Sequence, residues 1–394
     1  MKMIWITQES LLPLNTGGRI GVFKRLEQLY RENEIYLFYT YDKDEEAVQI
    51  SELKKFCKGV YAYPRKRNLA TLFRCLRYPF CIASRSIKKM RLDLERCITE
   101  NEISIINVDF PQMCVNLFGI TKRYPVKFVL NEHNIEFQFY SMISRSSEKF
   151  LKKSAYAFDS KRLKRFEEKL FKKINFDAVT FVSDKDMAYH REWIKTETPR
   201  FLVPVGADER EGVYCFHANT TPSIIFVGKM SADTNAEGVL WFAREVFPFI
   251  LTHYPQAKFF IIGKDPTDTV KALKGESIFV TGEVESLEEY YDHADLVVIP
   301  LLHGGGVKIK LLEAVSYKRP IVTTDTGIEG TLFQNNVDVF VQNEPKAFAE
   351  KCLALLSDKT KAELMVENAY EKYIEHYTWK KIGEKYQKIL DAIK

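Results

Sequence analysis

The sequence predicts an α/β fold built from two Rossmann-like β/α/β domains. Three observations carry this reading. Asp295 to Pro300 is a short apolar run ending in proline, which reads as a buried strand of a parallel sheet. Gly304, Gly305 and Gly306 follow, and Val307 to Lys318 then spaces Val307, Leu311, Leu312 and Val315 as on a helix face. Pro320 stops that helix before a strand at Ile321 to Thr324. The same order opens the chain: a strand at Met3 to Thr7, a loop ending in Gly17 and Gly18, and a helix from Arg19 to Asn33 with Ile20, Phe23, Leu26 and Tyr30 on one face. Finally, 394 residues exceed what one core organises.

The remaining elements follow in chain order. Glu34 to Thr40 reads as a strand and Asp42 to Cys57 as a helix. Tyr61 to Arg96 holds ten basic residues against Asp93 and Glu95, interleaved with Leu69, Leu72, Phe73, Leu76, Tyr78, Phe80 and Ile82. Such a stretch suits a membrane interface, or a solvated helix packing its apolar side on its own domain. Strands are expected at Ile103 to Val108, Val126 to Asn131 and Asp177 to Val182, a long basic helix over Phe137 to Lys173, and Ser183 as the cap of the next helix. The second half predicts strands at Ser223 to Val227, Lys258 to Ile262, Ile278 to Val280 and Val337 to Val341. Helices are expected over 236–250, after Ser286 as N-cap, and from Trp379 to Lys394. The predicted domains are 1–203, joined by a returning C-terminal helix at about 377–394, and 208–376.

The 295–324 unit is an anion site by its physics. A helix N-terminus carries unpaired N–H groups and partial positive charge. Glycines let a phosphate reach that backbone. Lys308 is expected in the first turn, where the dipole disfavours a cation unless a phosphate is bound. Glu313 is placed to accept from the sugar hydroxyls of a nucleotide, or else to pair with Lys310 as an ordinary surface contact.

Composition narrows the classes. The chain is 46% hydrophobic and 28% charged, as in a globular protein, with no apolar run of membrane-spanning length. The start, MKMIWITQES, lacks signal-peptide architecture. Seven scattered cysteines without a CxxC pair suggest reduced thiols in the cytoplasm rather than a disulfide or zinc framework. Residues 1–200 hold 37 basic against 25 acidic side chains, and the remainder 21 against 28. A basic first half suits an anionic membrane or a lipid-phosphate acceptor; no nucleic-acid motif is present.

GGGVKIKLLEA followed by RPIVTTDTGIEG resembles the donor-binding region of retaining glycosyltransferases of family 4, which have the two-domain GT-B fold with a central cleft. The matching positions are Gly304, Gly306, Lys308, Lys310, Leu312, Glu313, Ala314, Pro320, Val322, Thr324, Gly327, Glu329 and Gly330. Weaker echoes are Glu132-His133-Asn134-Ile135-Glu136 and the hinge-like Pro204 to Asp208. Many relatives have a first glutamate where Gly305 stands and a glycine where Arg319 stands. The resemblance implies transfer of a sugar from a UDP- or GDP-sugar to a glycan or lipid-linked acceptor in surface polysaccharide synthesis, at the inner face of the membrane. It implies that Lys229, Lys308 and the amides of Gly305 and Gly306 neutralise the leaving diphosphate, with Lys310 beside them. Glu313 would bind the ribose, Gly327 and Glu329 would line the donor pocket, His133 would face the sugar, and the Gly17-Gly18 loop would approach the phosphates. A second clamping cation is missing after Lys229, where Asn235 replaces it. No Asp-x-Asp motif is present, so neither a divalent metal nor another cofactor is expected. Two alternatives are a nucleotide-sugar epimerase on this fold and a non-catalytic partner subunit of a glycosyltransferase complex.

Overall fold

Strands form where β-branched and aromatic residues run unbroken. Their burial on both faces is what a parallel sheet covered by helices requires. The computed structural model describes residues 1–14, 16–42, 50–65, 67–146, 150–210 and 221–394. It divides into two units, Met1–Pro204 with Ile382–Lys394, and Val205–Lys381.

The first unit holds seven strands among the described residues: β1 (Lys2–Thr7), β2 (Glu34–Tyr41), β3 (Gly59–Pro64), β4 (Ile105–Asp109), β5 (Lys127–Glu132), β6 (Ala178–Phe181) and β7 (Arg200–Leu202). They pair in parallel in the order β3-β2-β1-β4-β5-β6-β7. Met3, Ile4, Trp5 and Ile6 of the central β1 are fully buried. Helix α1 (Gly17–Leu29) follows β1, and its N-cap Thr16 accepts from the Arg19 N–H through Oγ1 at 3.4 Å. The basic segment forms a strand and separate helices, among them α2 (Leu69–Cys75) and α3 (Lys88–Asn101). The expected long helix is two helices, α4 (Glu136–Ser146) and α5 (Phe150–Lys173), with 147–149 outside the described residues. Residues 43–49 of the expected helix at 42–57 also fall outside them, and of the described part Ile50–Leu53 is helical. Helix α6 (Asp184–Trp193) is capped by Ser183, whose Oγ accepts from the Asp186 N–H at 3.4 Å.

The second unit repeats the plan with β8 (Ser223–Val227), β9 (Lys258–Ile262), β10 (Ile278–Gly282), β11 (Leu296–Ile299), β12 (Ile321–Thr323) and β13 (Phe340–Val341), in the order β10-β9-β8-β11-β12-β13. Helix α7 (Asp233–Trp241) starts earlier than expected, and a π-turn at Phe242–Val246 joins it to Phe247–Leu251. Pro248, which has no N–H, is tolerated because it opens the last piece. Ser286 is not the N-cap of its short helix, Glu288–Asp292; Leu287 is, and Ser286 Oγ accepts from the Glu288 N–H at 3.2 Å. Strand β13 is shorter than expected because Gln334 to Val339 closes turns on itself, with the Asp338 N–H donating to Gln334 O at 3.0 Å.

Helix α8 (Ile309–Ser316) is shorter than the predicted 307–318. Lys308 has extended backbone and is its N-cap rather than a first-turn residue, and Lys318 ends it with φ of 52°. Helices α9 (Pro345–Ser357), α10 (Lys359–His376) and α11 (Trp379–Ile393) complete the chain. From Ile382 onward α11 belongs to the first unit, where Tyr386 is fully buried and its hydroxyl donates to Asn131 Oδ1 at 2.8 Å.

In each sheet the strand order reverses between two neighbours, β1 and β4 in one, β8 and β11 in the other. Ligands of open α/β sheets bind beyond the carboxyl ends of the strands at such reversals. Next to the second of these, Gly263 follows β9, the other neighbour of β8, with φ of +141°, and a Cβ there would lie 1.9 Å from Gly228 O. Gly263→Ala is therefore expected to cost about 2–4 kcal/mol in urea unfolding, combining a strained backbone with a forced shift of the Gly228 loop.

Candidate functional site

In the second unit, β8 ends at Val227, and Gly228 and Lys229 turn the chain towards α7. Close packing fixes this turn: a Cβ on Gly238 in α7 would lie 2.7 Å from Pro300 O, so the helix rests on the end of β11. The Asn235 Nδ2 donates to Lys229 O at 2.8 Å and ties the turn to the helix. From α8, the Lys310 ammonium reaches the same place. It donates to Asn235 Oδ1 at 2.5 Å and stands 4.4 Å from the centre of the Phe226 ring. A Cβ on Gly228 would lie 2.9 Å from Lys310 Nζ, so the glycine admits the cation. Burial, then Lys308, lowers the Lys310 pKa to about 7 against a smaller opposing effect of Glu313.

The glycine loop stands beside this cation. Gly304 and Gly306 have φ of 127° and 75°, which explains glycine there; Gly305 has no such backbone, and a Cβ on it would meet nothing within 4 Å. The Lys308 ammonium folds onto the loop, 2.6 Å from Gly306 O and 3.1 Å from Gly305 O. Lys229 is exposed and pairs with Asp265 at 3.5 Å. One turn along α8 from Lys310, Glu313 is half-buried and accepts from the Tyr291 hydroxyl at 3.4 Å. Tyr291 stacks on Tyr317 with ring centres 4.2 Å apart, and the Arg210 guanidinium lies 5.1 Å over Tyr317. Burial raises the Glu313 pKa, while Tyr291, Arg210 and Lys310 hold it back. The surface pair of Glu313 with Lys310 weighed from sequence is thus replaced: the cation goes to Asn235 and the carboxylate to Tyr291. Gly327 is buried, and a Cβ there would lie 2.0 Å from Thr323 Oγ1, so packing alone demands glycine. Glu329 ends the short helix Asp325–Ile328.

In the first unit the residues past the strand ends gather around Asp109, the last residue of β4 and fully buried. Asp109 Oδ1 accepts from Arg25 Nη2 at 3.1 Å and from His133 Nε2 at 2.8 Å, and Oδ2 accepts from the Trp5 indole N–H. Burial pushes the Asp109 pKa up, but Arg25, His133 and Trp5 more than offset it, so the group sits below its ordinary value. His133 is 9% exposed and stacks on Phe110 at 4.3 Å. Burial lowers its pKa against the pull of Asp109, which favours a neutral ring with the proton on Nε2 and Nδ1 free to accept. Gly17 and Gly18 open α1 nearby, where a Cβ on Gly18 would meet only Phe110 at 3.8 Å.

Residues 221–358 match the family described as Glycosyl transferases group 1. The second unit carries a glycosyltransferase group 1 domain. The whole chain shares the GT-B glycosyltransferase fold of two Rossmann-like domains. Sucrose-phosphate synthase from Thermosynechococcus elongatus superposes with a TM-score of 0.67 at 14% identity, over 100% of this chain and 99% of that one. HepE from Anabaena, in complex with UDP and glucose, gives 0.66 at 12% identity over 100% of both chains. A variant of S. aureus TarM in complex with Fondaparinux, alpha-GlcNAc-glycerol and UDP gives 0.67 at 13% identity, over 99% and 100%. In sequence, an "Uncharacterized 44.6 kDa protein in cps region" of Klebsiella pneumoniae is 24% identical over 400 residues, 97% of each chain.

Within the glycosyltransferase domain, Lys229, Lys310 and Asn235 meet at Gly228, with Glu313 one turn along α8 from Lys310 and Lys308 on the neighbouring glycine loop. A second cation does reach the turn that carries Lys229, from α8 rather than from the residues that follow in sequence: Lys310, beside Asn235. Sequence reading missed Tyr291, Tyr317 and Arg210, which support Glu313; no spacing signals them, because they come from separate elements. It also missed Arg25 and Trp5, although Asp109-Phe110 at a strand end was a visible hint. Among the described residues no group of His, Cys, Asp or Glu side chains forms a metal site, and no helix is long and apolar enough to cross a membrane.

Two outcomes follow from this geometry. Asp109→Asn leaves the Arg25 guanidinium buried without its counter-charge and is expected to destabilise the chain by about 3–5 kcal/mol in urea unfolding. Because the folded pKa of Asp109 is depressed, its contribution is present above the ordinary value of 3.8 and is lost as pH falls through the folded value. Lys310, with its pKa near 7, must take up a proton to hold a diphosphate above that pH. The affinity of this cation for any diphosphate ligand, titrated as UDP or GDP, is therefore expected to fall as pH rises from 7 to 9, by at most about tenfold per unit, and Lys310→Met should flatten this dependence in calorimetric titration.

Proposed function

We propose that the chain is a retaining, metal-independent glycosyltransferase. It moves a sugar from a UDP- or GDP-sugar to a glycan or lipid-linked acceptor of a surface polysaccharide, at the cytoplasmic face of the membrane. The observation that carries this reading is the meeting of the Lys310 ammonium with Asn235 at Gly228, beside the glycine loop that precedes α8. A nucleoside diphosphate is the ligand that suits a half-desolvated cation, open glycine amides and an acceptor carboxylate one helical turn away. The bound UDP of HepE and TarM and the cps-region relative support the same reading.

In this reaction the bond from the anomeric carbon to the phosphate oxygen breaks and one to the acceptor hydroxyl forms on the same face. The acceptor oxygen itself attacks on that face, so no protein nucleophile is needed, and the hydroxyl proton goes to the departing phosphate, so no protein base is needed. The protein supplies charge where charge develops. Lys310 and Lys229 face the diphosphate, and Lys308 leaves its carbonyls to join them. Glu313, held in place by Tyr291, accepts from the ribose hydroxyls. The resemblance to family 4 assigns His133, fixed here by Asp109 and Phe110, to the sugar and the Gly17-Gly18 loop to the phosphates. Gly327 and Glu329 shape the donor pocket. The basic segment 61–96 meets the anionic membrane.

Calorimetric titration of UDP and GDP with and without EDTA tests this. One nucleotide is expected to bind, unchanged by EDTA, and Glu313→Ala to weaken it by about 10- to 100-fold, the effect of losing one or two charge-assisted hydrogen bonds. Retention is read from the anomeric proton of the product by NMR. Binding of neither nucleotide would overturn the donor site and favour a non-catalytic subunit; an inverted anomer would overturn retention.

A further inference from the structure

A cavity of about 460 Å³ lies in the first unit, between the end of α2 and the face of α5, and belongs to neither site described above. Arg77, Arg162, Arg165, Lys169 and Lys173 line it, and no carboxylate does. Arg165, Lys169 and Lys173 follow each other at four-residue steps, so they form one exposed stripe along α5. Among the described residues these three and Arg77 pair with no acid; Arg162 alone does, with Asp159 at 3.4 Å. The wall between the cations is aromatic. Tyr78 meets Phe166 edge-on at 6.0 Å, and Lys173 stands 4.6 Å over Phe118. Like charges gathered without counter-charge repel one another, and an anion in the cavity relieves this.

The neighbouring surface says which anion. Leu69, Leu72 and Phe73 take positions i, i+3 and i+4 of α2, Leu76 follows as its C-cap, and each is at least 61% exposed. The opposite face holds Thr71, which is buried. The ridge therefore points away from the protein along its whole length. Its end is tied to the cavity, since Arg162 Nη2 donates to Cys75 O at 2.5 Å. Phe158, 63% exposed, continues the apolar rim under the same guanidinium at 5.2 Å. A site for a small soluble anion has no use for such a ridge. An apolar helix face beside clustered cations is the pattern of an element lying in a lipid interface.

We infer that the cavity and the α2 ridge form a docking site for an anionic phospholipid surface. A headgroup phosphate sits among Arg162, Arg165, Lys169 and Lys173, and Leu72, Phe73 and Leu76 enter the acyl boundary. This rests on the proposed work at a membrane and adds residues of α5 to the 61–96 segment. Its test reads lipid binding alone, so failure of docking and failure of transfer are told apart.

Full-length protein is sedimented with phosphatidylcholine vesicles, with and without phosphatidylglycerol, and UDP titration of each variant serves as a fold control. Wild type is expected to bind only the vesicles containing phosphatidylglycerol, and less as salt rises. Combined Arg165→Gln, Lys169→Gln and Lys173→Gln should weaken that binding by roughly 100-fold. Leu72→Ser with Phe73→Ser should also weaken it, while UDP binding stays unchanged in both. No binding of the wild type to anionic vesicles, or equal binding of the triple variant, would overturn the inference. Saturation of the cavity by free glycerol phosphate with no vesicle binding would reassign it to a soluble ligand and overturn it as well.

Discussion

The candidate site of the second unit depends on one contact, the Lys310 ammonium held between Asn235 Oδ1 and the Phe226 ring. It joins the end of β8 and the first turn of α7, which follow each other closely in sequence, to the first turn of α8, 75 positions beyond Asn235. Three glycines serve that meeting. Gly228 leaves space for the cation, Gly263 lets the Gly228 loop lie against β9, and Gly238 lets α7 approach β11. The cost appears in the titration of Lys310, whose pKa is drawn down to about 7 by burial and by Lys308. A cation kept half-desolvated is poorly served by water and well served by a phosphate.

The first unit buries charge in two different ways. Asp109 is fully buried, yet its pKa falls, because Arg25, His133 and Trp5 all address the ionised carboxylate. Glu132 and Glu167 are also buried, but their carboxyl groups each keep an oxygen without a hydrogen bond, and burial pushes both well above the usual carboxylate range. Neighbouring Glu136 is raised to about 7 by burial, despite the hydrogen bond from Gln112. The first arrangement fixes a charged group beneath His133. The second keeps neutral acids within the core, and deprotonating them costs stability as pH rises.

Much of the architecture was legible because it rests on local signals. Strand–glycine–helix order, unbroken apolar strands and proline stops located most elements, and β8 and β9 fall on the expected residues. Boundaries set by single backbone angles were not legible. Helix α8 starts after Lys308 because two glycines with positive φ carry the loop past it, and periodicity does not report φ. The site was legible as motif positions but not as partners. Lys310 and Asn235 are 75 positions apart, and Glu313 and Tyr291 are 22 apart. Such pairs are made by the register of the sheet, which no local window contains. Arg319, a departure from the family pattern, is likewise explained only in space: it is buried, donates to Tyr317 O at 3.0 Å and lies 3.7 Å from Asp292.

The three lysines of the glycosyltransferase domain do not contribute equally, and their surroundings rank them. Lys229 and Asp265 are both more than half exposed, and an exposed pair is worth about 1 kcal/mol or less. Exchanging Asp265 for a phosphate therefore gains little beyond the longer-range attraction. Lys308 must first leave two carbonyls, at 2.6 and 3.1 Å, so its gain is reduced by the contacts it gives up. Lys310 needs no such exchange of a charged partner. Its neutral partner Asn235 can stay while the phosphate arrives, and the low polarity that depresses its pKa strengthens the new attraction. Lys310 is thus the cation on which the proposed diphosphate binding turns, and a pH dependence of that binding is its expected signature.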